Sequence, residues 1–155
     1  MAVSKGRLQA CCGVTEKLQL GKELRENIDR ALELNPDDFA SHTHAHTHKH
    51  THRWTVLGAW HAGVSDLSWF VRKTMQALYL GNFPEASHES AEKCFLKAHA
   101  LYPNAINALH LAKTYKSLKK KDLYKEWLNT SLNCKSNQPA FQLAQAEATA
   151  LLAKA

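Results

Sequence analysis

Residues 91–104 read AEKCFLKAHALYPN, and residues 24–37 read LRENIDRALELNPD. The two stretches share one spacing. Ala91, Phe95, Ala98 and Pro103 stand at offsets of 4, 3 and 5, as do Leu24, Ile28, Ala31 and Pro36. Residues four and three apart share one face of a helix, and a proline past its end stops it. The small alanine lets another helix come close. An asparagine adjoins the proline in both copies (Asn35 and Asn104).

Upstream of the second copy, Trp54, Leu57, Gly58 and His61 stand at helical offsets, with Gly58 placed for a close helix–helix contact. This is the opening half of a tetratricopeptide-type repeat, and the Pro-ended stretches are its closing half. The small residue of the second helix follows the Trp by about 16 positions in a plain repeat. Here Ala91 follows Trp54 by 37, so about 21 residues are inserted. They contain a further apolar helix over 68–80, with Trp69, Phe70, Met75 and Leu78. A loop at 81–84 leads to a helix over 87–101. A third unit follows, with Leu111, Ala112 and Tyr115 in its first helix and Tyr124, Leu128 and Ser131 in its second. Tyr124 breaks the small-residue rule. An Ala-rich helix over 139–153 closes the chain. The pattern predicts an all-α, tetratricopeptide-like superhelix of about seven helices and no strand. Its domain spans 16–154 behind a flexible N-terminus at 1–15. Trp54, Leu57, Gly58, Ala91, Phe95, Ala98, Pro103 and Tyr115 are its expected structural residues, whereas Trp60 and Trp69 are candidate groove residues.

The chain of 155 residues is 45% hydrophobic, enough for one packed core. Its apolar runs are too short to span a bilayer. Residues 1–12 carry Lys5 and Arg7 but no apolar region of the secretory type. Cys11, Cys12, Cys94 and Cys134 form no CxxC pair and read as reduced thiols of a cytoplasmic protein.

Residues 42–52 alternate histidine with mostly threonine and hold six of the ten histidines. In an extended chain His42, His44, His46, His48, His50 and His52 fall on one face and would hold Zn²⁺, Ni²⁺ or Cu²⁺ loosely. A simpler reading is a translated CA-dinucleotide repeat, since CAC encodes His and ACA encodes Thr. With almost nothing apolar to bury, the tract is expected to be a mobile loop. No specific metal and no cofactor are expected.

Catalytic chemistry finds little footing. Ser65 and Asp66 lie near His61, but no nucleophile elbow surrounds them. Gly21-Lys22 lacks the preceding glycine and strand of a phosphate loop. The charge is more informative. The net charge is +6, and Lys113, Lys116, Lys119, Lys120, Lys121 and Lys125 are offset within their stretch only by Asp122. Residues 119–121 should form a tight interhelical turn, from which ammonium groups project toward a polyanionic surface. No aromatic–basic platform of the nucleic-acid type accompanies them, so nucleic acid is not the expected partner.

The run Trp54-Thr-Val-Leu57-Gly58-Ala-Trp60, followed by Leu67-Ser68-Trp69-Phe70-Val71-Arg72-Lys73, resembles the signature of the regulator of microtubule dynamics proteins. In that family a helix carrying a Leu-x-Trp-x-x-Arg-Lys/Arg pattern interrupts a tetratricopeptide-like domain. A Pro-containing loop, here with Pro84, then leads to an Ala-x-x-x-Phe-x-x-Ala helix. The likeness covers residues 14 to about 154 and marks Trp60, Trp69, Arg72 and Lys73 as signature residues. It implies a non-enzymatic protein that associates with microtubules and spindle poles, through tubulin or a microtubule-associated protein. Lys116, Lys119, Lys120, Lys121 and Lys125 are then the expected contact residues. Some members sit on mitochondria and take part in organelle contacts and lipid transfer. The alternative implied is therefore a tethering or phospholipid-binding module. With no membrane segment, the chain resembles the C-terminal part of a longer member or a short form.

Overall fold

The computed structural model describes residues 14–34, 44–78, 85–135 and 138–155. Seven helices account for nearly all of them: α1 Val14–Leu34, α2 His44–Ser65, α3 Trp69–Leu78, α4 His88–Leu101, α5 Ala105–Ser117, α6 Lys121–Asn133 and α7 Pro139–Leu152. No strand occurs among the described residues. The chain is an all-α helical-repeat fold. The expected helix ending at Asn35-Pro36, the loop at 81–84 and the extreme N-terminus lie outside the described residues.

Local chemistry sets the helix ends. The Ser87 hydroxyl accepts from the Ser90 backbone N–H at 3.1 Å and caps α4. Asn104, the residue beside Pro103, caps α5 by accepting from the Asn107 N–H at 2.9 Å. Pro139 opens α7, where its missing N–H costs no helical bond. Gln145 reaches from α7 to the end of α6, its amide N–H groups 2.6 Å from the Cys134 carbonyl and 3.2 Å from that of Leu132. These are carbonyls that the helix itself leaves unpaired.

The helices stack mainly as sequential neighbours. α2 packs most extensively on α4, α5 on α6, and α4 on α5; α7 rests on α5 and α6. α3 lies between the two arms of the α2–α4 pair in sequence yet does not separate them in space. The main core holds Ala91, Phe95, Leu111, Ala112, Tyr115, Tyr124, Leu128, Phe141 and Ala148. Tyr124 is buried despite breaking the small-residue pattern, and the Lys116 Nζ lies 5.7 Å over its ring. Ser131 is fully buried and donates to the Ala105 carbonyl at 2.9 Å, which draws α6 against the start of α5.

A second cluster fastens α1 to α2 and α4 through Leu24, Ile28, Leu57, Trp60 and Cys94. Trp60 is not a groove residue. It is 6% exposed, and its indole N–H donates to the Gly21 carbonyl at 2.9 Å. Trp54 is only half-buried, with the Lys97 Nζ 4.1 Å above its ring. Ala31 is also partly buried, and its carbonyl accepts from Arg53 Nη1 at 3.2 Å. Cys94 and Cys134 are unpaired thiols, and burial pushes the Cys94 thiol up to about 11.

The His/Thr stretch departs from expectation. From His44 onward it is the first part of α2, not a loop. No Gly or Pro interrupts residues 41–57. A helix nucleated by the packed segment from Trp54 onward therefore extends backwards at one hydrogen bond per residue. Within that extension Thr51 is buried and His52 exposed. His42 lies outside the described residues. Among the described residues, no cluster of three metal-ligating side chains occurs.

Candidate functional site

The lysine cluster is built on the turn between α5 and α6. The Lys119 N–H donates to the Lys116 carbonyl at 3.1 Å, and the Lys120 N–H to that of Tyr115 at 2.9 Å. This is a Schellman ending, with Lys119 in its left-handed position at φ 59°. Glycine normally occupies that position, because a Cβ there costs about 1–2 kcal/mol. The tight turn expected at 119–121 is therefore present, and a lysine holds its tip.

The lysines differ in their surroundings. Lys113 pairs with Glu147 of α7 at 2.7 Å. Lys120 pairs with Glu92 of α4 at 3.3 Å and lies 5.4 Å over the Tyr115 ring, tying the turn to α4. Lys116, Lys119, Lys121 and Lys125 are exposed and have no carboxylate partner among the described residues. Lys121 and Lys125 are one turn apart on α6 and share a face. Together they make a corner of cations whose charge is not neutralised within the fold.

A cavity of about 210 Å³ opens between α2, α4 and α5. Asp66, His88, His110 and Lys113 line it. Asp66, His88 and Lys113 are partnered: His88 Nε2 lies 3.3 Å from Asp66 Oδ1, and Lys113 is held by Glu147. The Ser65–Asp66–His61 combination weighed from sequence is not assembled. The Ser65 hydroxyl donates to the His61 carbonyl at 2.7 Å, and Asp66 faces His88.

Two imidazoles, His61 buried and His110 half-buried, are held by packing contacts. His61 Nε2 lies 3.3 Å from Arg25 Nη1, so the neutral ring accepts from the guanidinium. Arg25 also donates from Nε to both Asp29 oxygens, at 2.9 and 2.7 Å. Burial, then the Arg25 charge, hold His61 down to about 4, against the opposing pull of Asp29. His110 stacks on Phe95 with centroids 4.9 Å apart; burial, then Lys113, hold it down to about 4, against Glu147. An unfolded histidine binds its proton near 6.5. Between about 6.5 and 4 the unfolded chain thus takes up protons that the fold refuses, and stability falls as pH falls through that window. The loss for the pair is about 2–4 kcal/mol at pH 5 relative to pH 7. Urea midpoints at the two pH values measure it. His110→Phe, which keeps the stacking and removes the titration, should flatten part of the slope.

The exposed signature residues lie elsewhere. Trp69 is 67% exposed at the start of α3, and Arg72 and Lys73 are exposed one turn on. Sequence pattern placed Trp60 and Trp69 in one class, and the structure separates them. It also shows the Lys113–Glu147 and Lys120–Glu92 pairs, which join residues too far apart in sequence for any spacing rule.

Comparison with known proteins adds the family. The model described as "Regulator of microtubule dynamics protein 1-3" matches residues 1–155. Regulator of microtubule dynamics protein 3 of Rattus norvegicus is 32% identical over 158 residues, covering 99% of this chain and 31% of that protein. Its counterpart in Xenopus laevis is 33% identical over 129 residues, covering 82% of this chain and 25% of that protein. Regulator of microtubule dynamics protein 1 of Rattus norvegicus is 29% identical over 142 residues, covering 90% of this chain and 42% of that protein. The chain thus spans less than half the length of each of these relatives.

Proposed function

Because this chain belongs to the regulator of microtubule dynamics family, we propose that it is a non-enzymatic, tetratricopeptide-like scaffold acting at the cytoskeleton and spindle. It docks on microtubules, or on a microtubule-associated protein, and performs no turnover. The observation that carries this reading is the corner formed by Lys116, Lys119, Lys121 and Lys125, whose ammonium groups are exposed and lack carboxylate partners among the described residues. The acidic tails of tubulin are the complementary surface. One exposed ion pair contributes less than about 1 kcal/mol, so binding rests on several cations acting together. Such contacts are screened over about 8 Å at physiological ionic strength, which makes the affinity salt-dependent.

Co-pelleting with stabilised microtubules across a salt series tests the reading. Pelleting should weaken as salt rises. Reversing Lys119, Lys121 and Lys125 together to Glu should lower the affinity by about tenfold or more, six charge units being exchanged at about the separation of one contact. Lys113→Ala, which removes a lysine already neutralised by Glu147, should have little effect. Undiminished pelleting of the triple variant would remove the α5–α6 corner from the mechanism.

A further inference from the structure

A second cavity, of about 430 Å³, opens where the starts of α5 and α7 meet the first half of α2. That volume falls within the range of ligand sites, about 300–1,000 Å³. Asn107 of α5 lines it, yet the residue is only 1% exposed. Its backbone N–H donates to Asn104 Oδ1 at 2.9 Å, and its own Oδ1 accepts from the Thr55 hydroxyl at 2.7 Å. The side-chain Nδ2, which carries two N–H groups, is buried without a partner. A buried donor left in that state costs stability. The fold gains little in return, because the single Thr55 hydroxyl proton has a second acceptor in the Thr51 carbonyl at 2.9 Å. Ile106 and Phe141 give the cavity an apolar wall, and none of its nine lining residues is Asp, Glu, Lys or Arg.

We propose that this cavity receives an uncharged, extended segment of a partner protein, one main-chain carbonyl of which accepts from Asn107 Nδ2. The unpaired donor calls for an acceptor. With no lysine or arginine in the lining, a phosphate or carboxylate would lie there without a counterion. A main-chain carbonyl is a neutral acceptor and escapes that cost. In an extended chain successive side chains point to opposite faces, so an apolar side chain meets Ile106 and Phe141 beside the carbonyl that meets Asn107. The main-chain bond then supplies affinity and the apolar wall supplies selectivity. Asn107 and Lys116 are nine residues apart on α5, about 13 Å along its axis, so the site is separate from the α5–α6 lysine corner. The inference does not rest on the microtubule reading.

The test selects phage-displayed random peptides on the whole chain and measures the enriched ones as synthetic ligands. They should be poor in charged residues, and their affinity should stay level across a salt series, since no ion pair forms. Asn107→Leu nearly keeps the shape, keeps the backbone N–H and removes the unpaired donor. It should lower the affinity about tenfold, the weight of one buried hydrogen bond, while the urea midpoint stays level or rises. Ile106→Glu, at a half-buried position of the wall, should abolish binding with unchanged circular dichroism. In the proton–nitrogen spectrum of the isotope-labelled chain, the side-chain amide signal that Asn107→Leu removes should shift when peptide is added. The Lys119, Lys121 and Lys125→Glu variant should bind the peptides like the parent chain. Absence of enriched peptides overturns the inference, as does equal affinity for the parent and Asn107→Leu. A lower urea midpoint in Asn107→Leu also overturns it, because the amide then serves the fold. Peptides released by salt, or lost only with the lysine variant, belong to the α5–α6 corner and overturn it too.

Discussion

Replacing Phe95 with alanine is expected to destabilise the protein by about 3–5 kcal/mol, a large share of the ~5–15 kcal/mol that holds a typical domain together. The ring is 0% exposed. It leaves α4, meets Gly58 of α2 on one side and stacks on His110 of α5 at 4.9 Å with a 3° interplanar angle. Three helices therefore converge on one side chain. Truncation removes the transfer energy of the ring and leaves a cavity walled by backbone and imidazole, which cannot collapse to fill it. It also releases the wall of the cavity beside Asp66 and His88, which Phe95 helps to line. Equilibrium urea denaturation, followed by helical circular dichroism, measures the loss as a lower midpoint. Phe95→Leu should lose less, because it keeps most of the volume. A midpoint unchanged by Phe95→Ala would mean that the α2–α4–α5 junction is not where the fold is held.

The second large effect concerns two glycines of one helix that should respond with opposite sign. Alanine is the better helix former by about 1 kcal/mol. At Gly63, where an added Cβ meets nothing within 4 Å, that preference acts alone, and Gly63→Ala should stabilise the protein by up to about 1 kcal/mol. At Gly58 the same Cβ would stand 2.7, 2.8 and 2.9 Å from three carbons of the Phe95 ring. The ring is fully buried and stacked, so it cannot swing aside. Overpacking of this kind costs about 1–3 kcal/mol, occasionally more, and outweighs the gain in propensity. Gly58→Ala should therefore lower the urea midpoint while Gly63→Ala raises it. The cause is separable by a double-mutant cycle. In a Phe95→Leu background Gly58→Ala should lose much of its penalty, a coupling of the size seen between contacting residues, about 0.5–3 kcal/mol. Additive effects would show that the glycine serves helix geometry alone.

These residues were legible before the fold was known, since Gly58 and Phe95 both occupy repeat positions that call for a close helix contact. The order of the helices and most of their limits were equally legible, because caps, prolines and the 3.6-residue period act within a few residues of one another. Asn104 illustrates the limit of such reading. Its place beside Pro103 was visible, but its role as the cap of the next helix depends on a bond to the Asn107 N–H. The His/Thr tract carries a misleading signal: its composition, poor in apolar residues, points to a loop, although it holds no Gly or Pro to break the helix that runs through it from His44.

Periodicity, the Pro-ended spacing and the excess length between Trp54 and Ala91 determined the all-α repeat, its inserted helix and its buried face from sequence alone, since each is a local property of the chain. Only the tertiary structure decided which of several similar side chains are free to act. Trp60 and Trp69 are the same residue nine positions apart. The first is closed in by α1, while α3 leaves the second in water. Lys113 and Lys120 belong to the same basic run as Lys119 and Lys121, yet Glu147 and Glu92 neutralise them from other helices. Burial and charge pairing depend on distances between residues that are far apart along the chain, and those distances exist only once the helices have packed.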